Sequence, residues 1–493
     1  MMSDTLATKT KRIPTVVKSP LPGRMMSGME ALLEGMLAHR RQDQGLNTAT
    51  FVSGYRGSPL GAFDSLMWQQ KKALAEAGIT FKPGLNEDLA ATACWGTQQL
   101  ALMEGPTKDG VTAFWYGKGP GVDRSGDVLK HANVAGTMPL GGVVMIVGDD
   151  HGAKSSTVAH QSDQALIAAG IPVLYPATIQ EYADLLPAAV AMSRHAGLWV
   201  AFKCVTETIE GSCLVSVQAL PVPWVYPEVA RPAGGFHIGS QFQPAAMEKI
   251  LMEYRLPAAQ AFVTANHLDR IVLDAPTRGL GIVAPGKSFI DVMEALRLLG
   301  LEEGAAALGI RIFKPLMVWP LARQAIADFC RGHREILVVE EKRSLVEEQL
   351  AGILLRMEAR DRPILSGKLD PAFNPLLADY GELDSRAVAK AIGGRLRALG
   401  LASADLEARM AALFGDMPAT GKPIIPRTPA FCSGCPHNRS TQLPDGSMAF
   451  GGIGCHGMAL FVPELRTPAA TQMGGEGANW IGLTDYVATK HVF

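Results

Sequence analysis

A series of short apolar runs, separated by stretches with helical periodicity, constrains this chain more than any other feature. The first five are ATFVSGY (49–55), VTAFWYG (111–117), GGVVMIVG (141–148), IPVLYPA (171–177) and LWVAFKC (198–204). Most of them are apolar at consecutive positions instead of alternating apolar with polar. A strand that alternates has one wet face; a strand that does not is covered on both faces. Strands covered on both faces and separated by helices predict a parallel sheet with helices on either side, so the fold class is α/β. The first helix is expected to start at Ser27. Ser27 and Glu30 have capping-box spacing, and Leu32, Leu33, Met36 and Leu37 supply its apolar stripe.

The same grammar resumes after a proline-rich connector containing Pro221, Pro223, Pro227, Pro232 and Pro244. Strand GLGIVA (279–284) precedes helix SFIDVMEALRLLG. Strand ALGIRIF (307–313) precedes a helix around 320–331. Strand EILVVEE (335–341) precedes helix SLVEEQLAGILLRM (344–357). The expected organisation is a basic N-terminal arm (1–24), an α/β domain (25–215), a connector (216–276) with a helix near 245–255, a second α/β domain (277–400), a linker (401–429) and a Gly-rich unit (430–493). At about 150 residues per domain, several domains suit this length. The last unit has too little apolar sequence for an independent core and is expected to be incomplete.

Composition excludes some function classes. A net charge of −1 gives no electrostatic footprint for nucleic acid. No apolar run reaches the length of a membrane span. The N-terminal arm carries Lys9, Lys11, Arg12, Lys18 and Arg24 but lacks the apolar centre of a secretory signal. Seven cysteines, an odd number in a large chain, argue for a reducing, cytoplasmic setting and against a disulfide framework.

Two motifs invite specific chemistry. Residues 281–288, GIVAPGKS, match the phosphate-loop pattern literally, and ILVVEE (336–341) imitates its metal-binding partner strand. A phosphate loop needs an apolar strand before its first glycine, however, and here the preceding residues are APTRGL while IVAP is itself the strand end. The plainer expectation is a strand-to-helix turn in which Gly286 ends the strand and Ser288 caps the helix. Cys432 and Cys435 have zinc-like spacing and precede Cys455-His456, but a second complete ligand pair is missing. Glu87 follows a plausible N-cap, Asn86. Locally it reads as a helix-start acid favoured by the helix dipole.

Longer motifs carry a resemblance. GYRGSPLGAFD (54–64), NEDLAATACWGTQ (86–98), GKGPGVDRSGDVLKHANVAGT (117–137) and GDDHGAKSSTVAHQSDQALIAAGIPVLYPAT (148–178) resemble the pyrimidine-binding domain of fused indolepyruvate:ferredoxin oxidoreductases, within the thiamine-diphosphate-dependent 2-oxoacid:ferredoxin oxidoreductase family. FCSGCPH (431–437) and GGIGCHGMA (451–459) resemble the opening of that family's diphosphate-binding domain. The domain between is similar to the family's transketolase C-terminal-like domain. The motif order agrees, and the similarity covers nearly all of the chain after residue 25.

The resemblance implies an activity and a site. The reaction is oxidative decarboxylation of indolepyruvate or a related aryl-2-oxoacid, with coenzyme A as acyl acceptor and ferredoxin as electron acceptor. A non-oxidative thiamine-diphosphate decarboxylase or carboligase is one alternative, and a phosphate-loop nucleotide-binding protein, from the GIVAPGKS match, is another. Glu87 matches the acid that contacts the cofactor's aminopyrimidine. His151 and His160 are candidates for substrate contact or proton transfer. Arg56 and Ser58 stand where the family's substrate-facing loop has proline and threonine. Cys435, Gly454, Cys455 and His456 fall in the diphosphate-side motifs. The resemblance also implies Mg2+ held by a Gly-Asp-Gly motif, which does not occur in this segment, so no metal ligand is assigned here. [4Fe-4S] clusters are expected only in further sequence of a fused enzyme. A homo-oligomer is implied, because such cofactor sites form between a pyrimidine-type and a diphosphate-type domain.

Overall fold

The computed structural model describes residues 23–217, 223–239, 243–415 and 430–493. The expected N-terminal arm, except Gly23 and Arg24, and the prolines between 418 and 429 lie outside the described residues. The chain divides into two compact units, Met1–Gly415 and Asp416–Phe493.

The first unit contains two sheets. Strands Thr48–Gly54 (β2), Ile79–Phe81 (β3), Gly110–Lys118 (β4), Val143–Asp149 (β5), Val173–Leu174 (β6) and Trp199–Val205 (β7) pair in parallel. Arg24–Ser27 (β1) instead forms an antiparallel pair with Ser212–Val215 (β8), leading straight into the helix Gly28–Gln42. That helix begins with the expected capping box: Glu30 N–H donates to Ser27 Oγ, and the Glu30 carboxylate accepts from Ser27 N–H. Strands β4, β5 and β7 are almost entirely buried, which is why they are written as continuous apolar runs.

The second sheet has the order β14-β13-β10-β11-β9. Its strands are Arg270–Leu273 (β9), Leu280–Val283 (β10), Ile310–Lys314 (β11), Glu335–Val338 (β13) and Ile364–Ser366 (β14). All pair in parallel except the edge strand β9. Met317–Trp319 (β12), although it follows β11, crosses to the first sheet and pairs antiparallel with β6. The first sheet therefore has the order β12-β6-β7-β5-β4-β2-β3. Trp115, Val147 and Val173 share one core with Val283, Phe313, Ile336 and Leu350, so the two sheets are joined by buried apolar surface as well as by that strand.

One expectation fails here. The helix Gly286–Leu298 starts after Pro285, and Ser288 does not cap it. Ser288 Oγ is buried in the first turn without a partner among the described residues. The turn is set by Gly286, whose φ is +48° and whose Cα sits so close to the Tyr175 ring that a Cβ would lie 2.3 Å from it.

The second unit, described by itself, is built from short pieces. Phe450–Gly451 (β15) and Ala469–Ala470 (β16) pair in parallel, beside the 3-10 turn Cys455–Phe461 and the short helices His437–Ser440 and Ala478–Ile481. Among its described residues the buried apolar side chains are Ala459 and Leu465.

Candidate functional site

In an open parallel sheet, ligands bind beyond the carboxyl ends of the strands, where the strand order reverses. Here the chain runs from β2 outward to β3, then returns to place β4 on the other side of β2. The reversal lies between β2 and β4. The loop after β2 is the turn Tyr55-Arg56-Gly57-Ser58, and the segment after β4 is Lys118-Gly119-Pro120-Gly121. These loops touch: a Cβ on Gly57 would lie 2.7 Å from Lys118 Cδ.

Glu87 lies at the same place. It is the first residue of the helix Glu87–Gln98, whose N-cap Asn86 accepts from Leu89 N–H through Oδ1 at 2.8 Å. Its backbone carbonyl accepts from Trp115 Nε1 at 3.0 Å, fixing it against β4. Its side chain points at Gly121, where a Cβ would lie 2.4 Å from Glu87 Cγ. The residue is 3% exposed. Among the described residues no hydrogen bond reaches its carboxylate. The oxygens are not sealed in, so a group entering the crevice can reach them.

Lys118 is the residue that sequence reasoning missed. A lysine ending an apolar strand reads as a surface residue, yet this one is 6% exposed. Among the described residues its ammonium makes no hydrogen bond or ion pair. Burial pulls its pKa below the ordinary lysine value, against the opposing fields of Asp150 and Glu87. The site thus holds a cation and an acid on largely buried residues, neither charge paired among the described residues and both open to the crevice. The glycine-rich GKGPG was the available signal, since glycines let loops close over a long side chain.

The loop from 150 to 162, after β5, closes a third side. Asp150 organises it, accepting from Lys154 N–H and Ser155 N–H at 2.9 and 2.8 Å. Burial works against ionisation of Asp150, and those two backbone donors, together with the Ser156 and Ser155 hydroxyls, outweigh it, holding its pKa below the ordinary value. Ser155 Oγ is then 2.7 Å from Ser58 Oγ, and Ser58 Oγ also donates to Glu210 Oε1 at 3.3 Å. His160 N–H donates to the Asp150 carbonyl, and the His160 ring lies over Gly119, where a Cβ would be 2.5 Å from its Nδ1. Its Nδ1 is 3.7 Å from Asp123 Oδ2.

The structure therefore brings Glu87, Ser58 and His160 to one crevice and adds Lys118. Arg56 sits on the same turn, is exposed, and forms no ion pair among the described residues. His151 goes elsewhere. It is 1% exposed, and its Nδ1 is 2.6 Å from Glu341 Oε2, across the seam to the second sheet. The phosphate-loop pattern dissolves into the same seam. Gly281 is inside β10, and Lys287 Nζ donates to Glu341, Asp291 and the Leu383 carbonyl. Glu340 receives the N–H groups of Leu345, Val346 and Glu347 at the start of the helix Val346–Leu354.

In the second unit, Cys435 Sγ is 3.2 Å from His437 Nδ1. His456 Nε2 accepts from Gly452 N–H at 3.0 Å, and the His437 and His456 rings are 6.1 Å apart. Gly454, at φ +133°, precedes Cys455, which is exposed. Among the described residues no group of three or more His, Cys, Asp or Glu side chains is placed to hold a metal ion, and no helix is long and apolar enough to cross a membrane.

Comparison with known proteins supports the resemblance read from the motifs. Residues 270–417 match the family model of the indolepyruvate oxidoreductase domain. The chain is 25% identical over 442 residues to the indolepyruvate oxidoreductase subunit IorA of Methanothermobacter marburgensis, covering 88% of this chain and 60% of that relative. It is 24% identical over 485 residues to the IorA subunit of Pyrococcus abyssi, covering 94% and 66%. The chain thus spans 60% to 66% of the length of these two relatives. Among solved structures, a 2-oxoglutarate:ferredoxin oxidoreductase from Magnetococcus marinus superposes with a TM-score of 0.54 at 13% identity, over 76% of this chain and 66% of that one. That likeness is one of fold, and it agrees with the α/β class expected of a thiamine-diphosphate enzyme.

Proposed function

We propose that this chain forms the pyrimidine-binding side of a thiamine-diphosphate-dependent 2-oxoacid:ferredoxin oxidoreductase, acting on indolepyruvate or a related aryl-2-oxoacid. Coenzyme A is the acyl acceptor and ferredoxin the electron acceptor in this reading. The observation that carries it is Glu87: a largely buried residue whose carboxylate has no hydrogen-bond partner among the described residues, at the point where the strand order reverses.

The residues present fit the pyrimidine end of the cofactor. Bound there, thiamine diphosphate supplies a nucleophilic carbon and an electron sink for the departing carboxylate. Glu87 holds a proton at the pyrimidine ring nitrogen, the role that an otherwise unpartnered carboxylate can fill. Lys118 pairs with the carboxylate of the 2-oxoacid, and the exposed Arg56 offers a second cation from the same turn. Ser58, aligned by Ser155, donates to the oxo oxygen, and His160 stands over Gly119 to hold or move a proton. Leu85 and Leu89, exposed on either side of Glu87, suit an apolar surface from a second copy that shuts out water. The cysteines of the described residues are all free, as suits a cytoplasmic enzyme.

One substitution tests the assignment. Glu87→Gln keeps the shape of the side chain but cannot exchange a proton. In the complete enzyme it is expected to slow hydrogen–deuterium exchange at the cofactor's reactive carbon by about 10²-fold or more. A helix-start acid predicts only about 0.3–1 kcal/mol of lost stability and normal exchange. An exchange rate within about threefold of the wild type, far short of acid–base catalysis, removes Glu87 from the chemistry.

A further inference from the structure

The sequence singled out GIVAPGKS and ILVVEE, and the proposed reaction uses neither. The structure shows what they meet. Glu341 ends the ILVVEE run, Lys287 lies in GIVAPGKS, and both are buried in the seam between the two sheets. Glu341 Oε1 accepts from Lys287 Nζ at 2.9 Å and from Leu383 N–H at 3.0 Å. Its other oxygen, Oε2, is 2.6 Å from His151 Nδ1. One carboxylate thus spends one oxygen on the second domain and the other on the loop that closes the candidate site.

We propose that Glu341 is a positioning residue: through His151 it fixes the loop 150–162, which sets Ser155 against Ser58 and His160 against Gly119. His151 is the neighbour of Asp150, whose carboxylate holds Lys154 N–H and Ser155 N–H and whose carbonyl holds His160 N–H. A shift of His151 is therefore passed through its neighbour Asp150 to both site-facing residues, to His160 through the Asp150 carbonyl and to Ser155 through the Asp150 carboxylate. Weaker ties flank this one. Lys342 Nζ reaches the His151 carbonyl at 3.2 Å, Lys154 Nζ pairs with Glu382 and Glu207, and the Arg343 backbone meets the Gln161 amide. Lys154 is half exposed at its side chain, whereas the His151 and Glu341 side chains are both 1% exposed. A buried charged hydrogen bond resists rearrangement more than a solvated one. The second α/β domain is thereby more than a spacer, since it supplies the anchor for a site loop carried by the first.

The inference rests on the proposed function only for what the loop serves; that Glu341 holds it is tested separately. Amide hydrogen exchange of peptides covering 150–162 is measured in the chain with Glu341→Gln and with Lys287→Met. Glu341→Gln should speed exchange in that loop by about tenfold or more, while the strands of the first sheet keep their protection. Lys287→Met removes the other charge of the same buried pair but leaves the Glu341–His151 contact. It should lower the melting temperature with loop exchange close to wild type. Equal loosening by both variants, or an unmoved loop in Glu341→Gln, overturns the proposal. Should Glu341→Gln fail to fold, His151→Gln breaks the contact from the loop side and must loosen the loop in the same way. In the complete enzyme, Glu341→Gln should also raise the KM for the 2-oxoacid about fivefold or more, and Lys287→Met should not. Absence of any thiamine-dependent activity in the wild type would sink the functional reading, and the loop exchange would still decide the role of Glu341.

Discussion

Two places in the first sheet, its amino end and the crevice beyond the carboxyl ends of β2 and β4, carry similar charged side chains and treat them in opposite ways. At the amino ends of β2, β4 and β5, Asp43 accepts two hydrogen bonds from Arg194, at 2.7 and 2.8 Å, and one from Thr48 at 2.7 Å. Thr112 Oγ1 donates to the Gly141 carbonyl and lies within hydrogen-bond reach of both Arg194 and His39. The Gln98 amide takes the N–H groups of Met138 and Gly142 and returns a donor to the Val111 carbonyl. In the crevice beyond β2 and β4, Glu87 and Lys118 are largely buried residues too, yet their charged atoms have no such partners among the described residues. A satisfied network stabilises one structure. An unsatisfied one costs stability and is retained where a ligand completes it. The contrast separates the side chains that hold this domain together from those kept for chemistry.

The sharpest way to break that comparison is to neutralise one cation at each place. Arg194→Met strands a buried Asp43 and should destabilise the protein by about 3–5 kcal/mol. Lys118→Met removes an ammonium that burial already disfavours, so it should leave stability unchanged or raise it slightly, by up to about 1 kcal/mol. Denaturant midpoints of the two variants decide this. Equal destabilisation by both would mean that Lys118 is a structural partner and that the two places do not differ.

The contrast also predicts how acid acts. Burial, helped by the Arg194 charge and opposed by Asp43, lowers the His39 pKa to about 3. Between the ordinary histidine value and that figure, the unfolded chain binds a proton that the folded chain refuses. Stability therefore falls as pH falls, with a slope of up to about 1.4 kcal/mol per pH unit between about pH 6 and 4. Below that, Asp43 takes over: burial works against its ionisation, but the Arg194 hydrogen bonds and charge, the His39 charge and the Thr48 hydrogen bond together outweigh it, and its pKa is lowered to about 2. The stability it contributes is present above the ordinary carboxylate value and is lost as pH falls through about 2. His39→Gln should flatten the upper part of the curve, measured by urea unfolding across that range. An unchanged slope would mean that His39 is charged in the folded state.

How much of this was legible in the sequence follows from what each feature depends on. The parallel strands were legible because burial on both faces writes an apolar run, and Ser27 was legible because a capping box is local. IPVLYPA was overread. Only Val173–Leu174 form a strand, since Pro172 and Pro176 flank it and neither can donate to a ladder. Its partner β12, three residues arriving from the far side of the second sheet's strand β11, leaves no local signature. The Ser288 cap was misread because a serine near a helix start looks like a cap whether or not its hydroxyl reaches the backbone. In the site, Glu87 was marked by motif. Lys118 had only the glycines of GKGPG as a local signal, because its burial depends on a loop far earlier in the chain. His151 looked like a site histidine because its partner, Glu341, lies 190 residues away in sequence. Long-range pairing of charged groups is what sequence patterns carry least.

The finest test of the comparison concerns Asn86, because there the stabilising and the chemical roles meet one residue apart. Asn86 Oδ1 accepts from Leu89 N–H and caps the helix that Glu87 begins. Removing a cap of this kind costs about 1 kcal/mol. If helix capping were what places Glu87, Asn86→Ala would also slow the chemistry assigned to Glu87. The geometry argues otherwise. The Glu87 carbonyl is held independently by Trp115 Nε1, itself fully buried in β4, and its side chain is confined by Gly121. Asn86→Ala should therefore lower the unfolding free energy by about 1 kcal/mol and leave exchange at the cofactor's reactive carbon within about twofold of wild type, far above the loss expected when a catalytic acid is removed. A tenfold or larger loss of exchange in Asn86→Ala would show that the cap, and not the clamp from β4, sets the position of Glu87.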